Sequence, residues 1–360
     1  MLSLPATPVR RHRGAGPVVI LVALGVFAAA VVPTRSVEAA SRRTVPYEEP
    51  PPPAPPDPPP ARPQGRLVPG EGTLFGIHTT PDTPTAKQAA DMGITGMEAA
   101  FGRTFDIDNH YYAWNEPLPT WRERWDLEQG RIPMLSWMGT STKDTASGKY
   151  DDLFGQRADA IRALGKPVFL RWFWEADGVR ATKRKAAGSP AQYIAAWRHL
   201  RGLFAAHGAT NAVWVWCPVS LHFYTGTAQP FYPGDDAVDW ICADGYNWAP
   251  GKPNLPYEAF QRLFQAFYDF GVEHHKPLMV GETGAQENNP GDKARWITAM
   301  HQAVKLHYPN VVAFLYFDVD DSGANGNYDW RLNSSQGSID AFKAMALDPY
   351  FNQPHDTLAP

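Results

Sequence analysis

Cysteine is nearly absent: Cys217 and Cys242 are the only two among 360 residues, which excludes a disulfide scaffold. Each lies in an apolar run that reads as a strand, so both read as buried thiols, with a single bridge open to them in an oxidising compartment. An excess of positive charge is missing as well. Lys and Arg total 33 against 37 Asp and Glu, a net charge of −4, so the basic footprint that nucleic acid demands is not there. No internal repeat recurs along the chain. No glycine-rich phosphate loop follows the first strand-like run, where Gly76-Ile77-His78-Thr79 stands instead. That argues against a nucleotide-binding open sheet.

What is present begins with an export pattern. Residues 1–16 carry Arg10, Arg11 and Arg13 and no acidic residue, and residues 17–33 are almost wholly apolar. Basic then apolar is the order of a signal peptide. The run sits at the lower edge of the roughly 17–25 residues that span a bilayer, so a retained anchor competes with cleavage after Ala39. Residues 1–40 are read as a signal peptide or membrane anchor, with cleavage favoured. From 41 to 66 proline dominates, with Pro50 to Pro53 and Pro58 to Pro60 in unbroken runs. Proline fixes φ and removes backbone donors, so this segment is an extended, disordered linker. A secreted or cell-surface protein is expected, tethered to membrane or wall if the anchor is kept.

Residues 67–354 have the length of one α/β barrel. Strand-like runs fall at 73–78, 94–101, 131–138, 167–174, 212–217, 238–244, 277–281 and 311–317. Helical spacing separates them, most clearly over 189–206. There Ser189-Pro190-Ala191-Gln192 offers an N-cap, a proline at the first helical position and a capping-box partner. Segments 257–272 and 293–306 read the same way. Near-continuous apolar strands indicate a parallel sheet buried on both faces, and eight such units close most naturally as a (β/α)₈ TIM barrel.

Two of these runs end in a glutamate. Glu175 closes Pro167-Val168-Phe169-Leu170-Arg171-Trp172-Phe173-Trp174, and Glu282 closes Pro277-Leu278-Met279-Val280-Gly281. Functional groups in such barrels sit at the carboxyl ends of the strands. Two carboxylates on strands four and seven are the minimum equipment for cleaving a glycosidic bond. Arg171 shares a strand face with Glu175 and is placed to stabilise a carboxylate. Tyr246, in Asp244-Gly245-Tyr246-Asn247-Trp248, can donate to the nucleophile.

These residues resemble glycoside hydrolase family 26. The resemblance rests on Leu170-Arg171-x-x-x-Glu175-x-x-Gly178, Val213-Trp214-Val215-Trp216-Cys217-Pro218, and Phe231-Tyr232-Pro233-Gly234-Asp235-Asp236 leading to Asp244-Gly245-Tyr246-Asn247. The Lys276 to Gly284 strand and Asp329-Trp330-Arg331 complete it. The resemblance implies a (β/α)₈ barrel and retaining, endo-acting hydrolysis of a β-linked polysaccharide, mannan most often, with β-glucan and xylan members. Glu175 becomes the general acid/base and Glu282 the nucleophile. Departures are specific. Trp174 stands where histidine usually precedes the acid, Asp177 where asparagine is usual, and Tyr316 in place of a tryptophan platform on strand eight.

Aromatic residues are plentiful, with 13 Trp and 14 Tyr. Trp137, Trp172, Trp174, Trp248 and Tyr316 are expected to pave a sugar cleft, with His78 and Tyr246 beside them, while Trp197, Trp214 and Trp296 fit core positions. Asp318-Val319-Asp320-Asp321-Ser322-Gly323 matches part of a calcium loop, but Asn325 occupies its apolar position and a strand precedes it. His274-His275 lacks further ligands at fixed spacing. No metal or cofactor is expected. The expected partner is a polysaccharide or oligosaccharide, acted on by a monomer. Two other readings stand beside hydrolysis: a non-catalytic carbohydrate-binding barrel, and a transglycosylase working on cell-surface glycans.

Overall fold

Eight short buried segments, seven of them largely apolar on both faces, can satisfy their backbones only by pairing on both edges, and a closed ring does this without leaving an edge. The computed structural model describes residues 61–79, 93–178, 181–252, 254–321 and 328–353. The expected signal or anchor segment and most of the proline-rich linker lie outside these residues. Among the described residues no helix is long and apolar enough to cross a membrane.

The chain runs β1 (Leu74–Thr79), α1 (Ile94–Phe101), β2 (Ile107–Tyr112), α2 (Trp121–Glu128), β3 (Ile132–Trp137), α3 (Thr142–Ala146), α4 (Asp151–Arg162) and β4 (Val168–Trp172). It continues through α5 (Ala181–Ala187), α6 (Pro190–Ala206), β5 (Ala212–Trp216), α7 (His222–Thr225), β6 (Trp240–Asn247) and α8 (Phe260–Glu273). It ends with β7 (Leu278–Ala285), α9 (Asp292–His307), β8 (Val311–Asp318) and α10 (Gln336–Leu347). The strands form one closed barrel in sequence order, and β1 meets β8 in parallel from Leu74↔Ala313 to Thr79↔Asp318. This is the expected (β/α)₈ architecture.

Strand alternation splits the core in two. Met134, Phe169, Val213, Val215, Trp240, Met279 and Leu315 fill the barrel interior. Leu135, Trp137, Leu170, Trp172, Trp214, Phe314 and Tyr316 face the helices. The capping box at α6 is present, with Ser189 accepting from the Gln192 N–H and Gln192 reaching back, a contribution of about 1 kcal/mol.

One expected strand is a helix. Residues 94–101 form α1, because Ile94, Met97 and Phe101 recur at helical rather than alternating spacing and Gly102 closes the end at φ 79°. The true second strand is β2, whose sequence Ile-Asp-Asn-His-Tyr-Tyr is too polar to announce itself. The two cysteines are not free thiols. Cys217, just past β5, and Cys242 on β6 point into the barrel with Cα atoms 4.3 Å apart, and they are bridged.

Candidate active site

Two breaks in regular strand geometry aim the two glutamates. Along the β6–β7 ladder Ala243 pairs with Val280 and Asp244 with Glu282, leaving Gly281 as an extra residue. A bulge of this kind re-aims the side chain that follows. Simple alternation from the inward Met279 would turn Glu282 toward the helices; the bulge brings it inside. Glycine is required at 281, since a Cβ there would stand 2.3 Å from Cys242 Sγ and 2.8 Å from Asp244 Oδ1.

The second break follows β4, which ends at Trp172, three residues short of Glu175. Phe173 and Glu175 adopt left-handed backbone angles, φ 48° and 52°, a sparsely populated state for residues with side chains. Phe173 thereby joins the helix-side core while Trp174 turns inward. Gly139 leaves the room, because a Cβ there would lie 1.8 Å from the Phe173 ring. The Glu175 N–H donates to the Cys217 carbonyl at 2.7 Å, which ties this turn to the end of β5.

Glu282 is buried and surrounded by donors. Tyr111 and Arg171 donate to Oε1 at 2.6 Å each, and Tyr246 donates to Oε2 at 2.6 Å. Burial alone would push this carboxyl up; the Arg171 charge and the donated hydrogen bonds outweigh it and hold Glu282 below the usual range. Burial, reinforced by the Glu282 charge, raises both phenols well above theirs, so Tyr111 and Tyr246 remain donors. Arg171 serves Glu282 rather than Glu175. Its Nη1 also meets both Asp244 oxygens, at 2.9 and 3.1 Å, and its Nε donates to Ser136 Oγ at 2.8 Å. Arg171 lies beneath the cleft, fully buried, and holds the nucleophile candidate from below.

Glu175 has a different partner. Lys183 Nζ, on α5, donates to Glu175 Oε2 at 2.9 Å and to the Trp174 carbonyl at 3.3 Å, and lies 4.5 Å from the Trp174 ring centroid. Both carboxylates open into one cleft of about 250 Å³. His78, Trp174, Tyr246 and Trp248 line it as expected; Tyr111, Met138, Lys183, Phe317 and Trp330 line it unannounced. His78 Nδ1 meets the Asn109 carbonyl at 2.6 Å. A carbonyl only accepts, so Nδ1 carries the proton and Nε2 keeps its lone pair. Burial pushes the imidazole down to about 4, which keeps it neutral.

Three expected cleft residues are elsewhere. Trp137 is fully buried, donates to the Trp114 carbonyl at 3.1 Å and packs on Phe154. Trp172 stacks on Tyr193 of α6. Tyr316 packs on Phe342 of α10, with its hydroxyl on the Trp330 carbonyl at 3.0 Å. All three sit one residue out of phase with the inward face. Phe317, the next residue on β8, and Trp330 occupy the place expected of Tyr316. Asp177 meets His222 Nδ1 at 2.8 Å and accepts from the Val219 N–H at 3.3 Å, so it braces the loop after β5 and does not line the cleft.

Among the described residues two groups bring three metal-type ligands together. Cys217 and Cys242, beside Asp244, are spent in the bridge. Asp108, His110 and Asp126 meet on the helix side of β2, where Arg131 already lies 3.2 Å from Asp126 and fills the role of a cation. In the strand-eight loop, Arg331 pairs with Asp320 at 3.2 Å and with Asp329 at 2.9 Å. Residues 322–327 of the calcium-like motif lie outside the described residues.

Comparison with known proteins bears on this geometry. Residues 150–272 match the profile described as Glycosyl hydrolase family 26. Over 268 residues the chain is 30% identical to Endoglucanase H of Acetivibrio thermocellus, a match covering 71% of this chain and 29% of that protein. It is 25% identical over 246 residues to a β-1,3-xylanase of an Alcaligenes species, covering 64% of this chain and 47% of the other. The chain thus spans less than half the length of either relative. In fold it is similar to a GH26 β-mannanase from Bacteroides ovatus, with a TM-score of 0.56 at 18% identity, covering 78% of this chain and 90% of that one. A modular endo-β-1,4-mannanase from Cellulomonas fimi gives a TM-score of 0.58 at 18% identity, covering 81% of this chain and 74% of that one.

Proposed function

This chain belongs to glycosyl hydrolase family 26, and from that premise we propose that it cleaves a β-linked polysaccharide of the mannan, glucan or xylan type internally and with retention. One observation carries the reading: a carboxylate held ionised by three donors, Glu282, shares a cleft with a second carboxylate, Glu175. Glu282 attacks the anomeric carbon while Glu175 gives its proton to the leaving glycosidic oxygen, forming a glycosyl ester and a free sugar end. Glu175, now ionised, takes a proton from water, and the hydroxide equivalent displaces Glu282 with a second inversion. Trp174, Trp248 and Trp330 supply apolar faces for sugar C–H bonds, and His78 offers an acceptor to a sugar hydroxyl. The export pattern in residues 1–40 suits a polymer too large to enter a cell. The Cys217–Cys242 bridge suits the same oxidising surroundings.

The test is reducing-end release from mannan, mixed-linkage β-glucan and β-1,3-xylan, with the anomer of the first product read by NMR. Retained β-configuration is expected from at least one polymer. Glu282→Ala should lose turnover by about 10⁴-fold or more while keeping its unfolding transition and its retardation in a polysaccharide gel. Wild-type turnover in that variant would remove Glu282 from the chemistry. Gel retardation without any release by the wild type would favour a binding barrel. Products longer than the starting oligosaccharide would favour transglycosylation.

A further inference from the structure

Among the described residues, Lys183 is the side chain that meets the Glu175 carboxylate, and no feature of the sequence announces it. It lies eight positions downstream on α5 and is itself buried, with 9% of its surface exposed. Burying an ammonium is costly unless it is paired. Here three groups of the same turn receive it: the Glu175 carboxylate at 2.9 Å, the Trp174 carbonyl at 3.3 Å and the face of the Trp174 ring at 4.5 Å. Two of the three belong to Trp174. The aromatic ring that stands where the family resemblance leads one to expect histidine is therefore one of the three groups that seat the lysine.

A left-handed turn fixes the backbone of Glu175 through its N–H bond to the Cys217 carbonyl, but that bond leaves the side chain free to rotate. Described contacts to the carboxylate itself come from Lys183 alone. Glu282, by contrast, is gripped by three donors. We infer that Lys183 is the positioning residue of the acid/base glutamate, aiming the Glu175 carboxyl across the cleft and holding it through both half-reactions. This rests on the retaining-glycosidase reading above. In the first half-reaction a misaimed acid fails to meet the leaving oxygen, and the loss grows with the basicity of that oxygen. Lys183 does not itself exchange a proton with the sugar.

That dependence gives a readout which general loosening of the fold would not. Lys183→Met and Lys183→Arg are assayed with the polymer the wild type cleaves and with the dinitrophenyl β-glycoside of the same sugar, whose leaving group needs no proton. For Lys183→Met, kcat/KM on the polymer should fall by about 30-fold or more, a part of the usual general-acid contribution. On the dinitrophenyl glycoside it should stay within about 3-fold of wild type, because proton donation is not needed there. Lys183→Arg, which keeps the charge and the donors, should recover most of the loss on the polymer. An equal fall on both substrates, or none on the polymer, overturns the assignment while leaving hydrolysis by Glu175 and Glu282 standing. A wild type inert on both substrates, in contrast, removes the glycosidase reading and this role together.

Discussion

Arg171 concentrates the energetics of the cleft floor in a single side chain. It is fully buried and faces two carboxylates at once, Asp244 through Nη1 and Glu282 through Nη2. Burial, foremost, and the Glu282 charge push the Asp244 carboxyl well above its usual range while Arg171 pulls it down, so the guanidinium is what makes two buried acids tolerable. Removing the cation from such a set leaves its buried acids without a partner, which costs about 3–5 kcal/mol. Arg171→Met should therefore lower unfolding free energy by that order in urea, and adding Asp244→Asn to it should restore part of the loss. A single-variant cost under about 1 kcal/mol would mean that water already reaches the site. The residue was visible in the sequence as a strand arginine near a strand-end carboxylate, but its partner was not. Alternation placed it on the side of Glu175, whereas the left-handed residues Phe173 and Glu175 rotate that glutamate away and the bulge at Gly281 brings Glu282 in.

At the scale of the element, β2 shows why part of the site escaped a reading of the chain. Strands were recognisable where both faces are apolar, which located seven of the eight, and α6 was recognisable by its capping box. β2 turns polar residues both ways: Asn109 and Tyr111 inward to Ser136 and Glu282, Asp108 and His110 outward to the pocket where Asp126 sits. With β2 hidden, Tyr111 had no address. The same limit explains Trp137, Trp172 and Tyr316, since strand existence is written in composition while phase is not, and one residue of slip exchanges the faces. The outward face of β2 also predicts a pH effect. Burial, foremost, raises the Asp108 carboxyl from 3.8 to about 7. The folded state then binds a proton that the unfolded state has already released, so stability falls as pH rises through that interval. His110, lifted against its burial by Asp108 and Asp126, loses its own stabilising charge in the same direction. Asp108→Asn should gain about 2 kcal/mol on the wild type between pH 5 and pH 8, measured by urea unfolding at each pH. A difference that does not change with pH would show that Asp108 is ionised throughout.

For the barrel as a whole, the seam that matters is the one between β5 and β6. Its ladder is short, with Val215↔Trp240 and Trp216↔Ile241 in register, whereas β1 and β8 are paired over six residues. The Cys217–Cys242 bridge closes this seam covalently, just below the cleft. The Cys217 carbonyl receives the Glu175 N–H, and two residues beyond Cys242 stands Asp244, the anchor of Arg171. One cross-link thus joins the backbone of the acid candidate to the ion cluster that holds the nucleophile candidate. The bridge spans 25 residues of sequence, and closing a loop of that size constrains the unfolded chain by about 3 kcal/mol. The double variant Cys217→Ser/Cys242→Ser should lose roughly that much stability, and its unfolding midpoint should be indifferent to reductant while the wild type's falls toward it. Turnover should decline more than stability accounts for, because opening the seam moves the two carboxylates relative to each other. A wild-type midpoint unchanged by reductant present through the whole transition would mean that the thiols are not joined in the folded protein, and the rigidity of the cleft would then have to come from the Arg171 cluster alone.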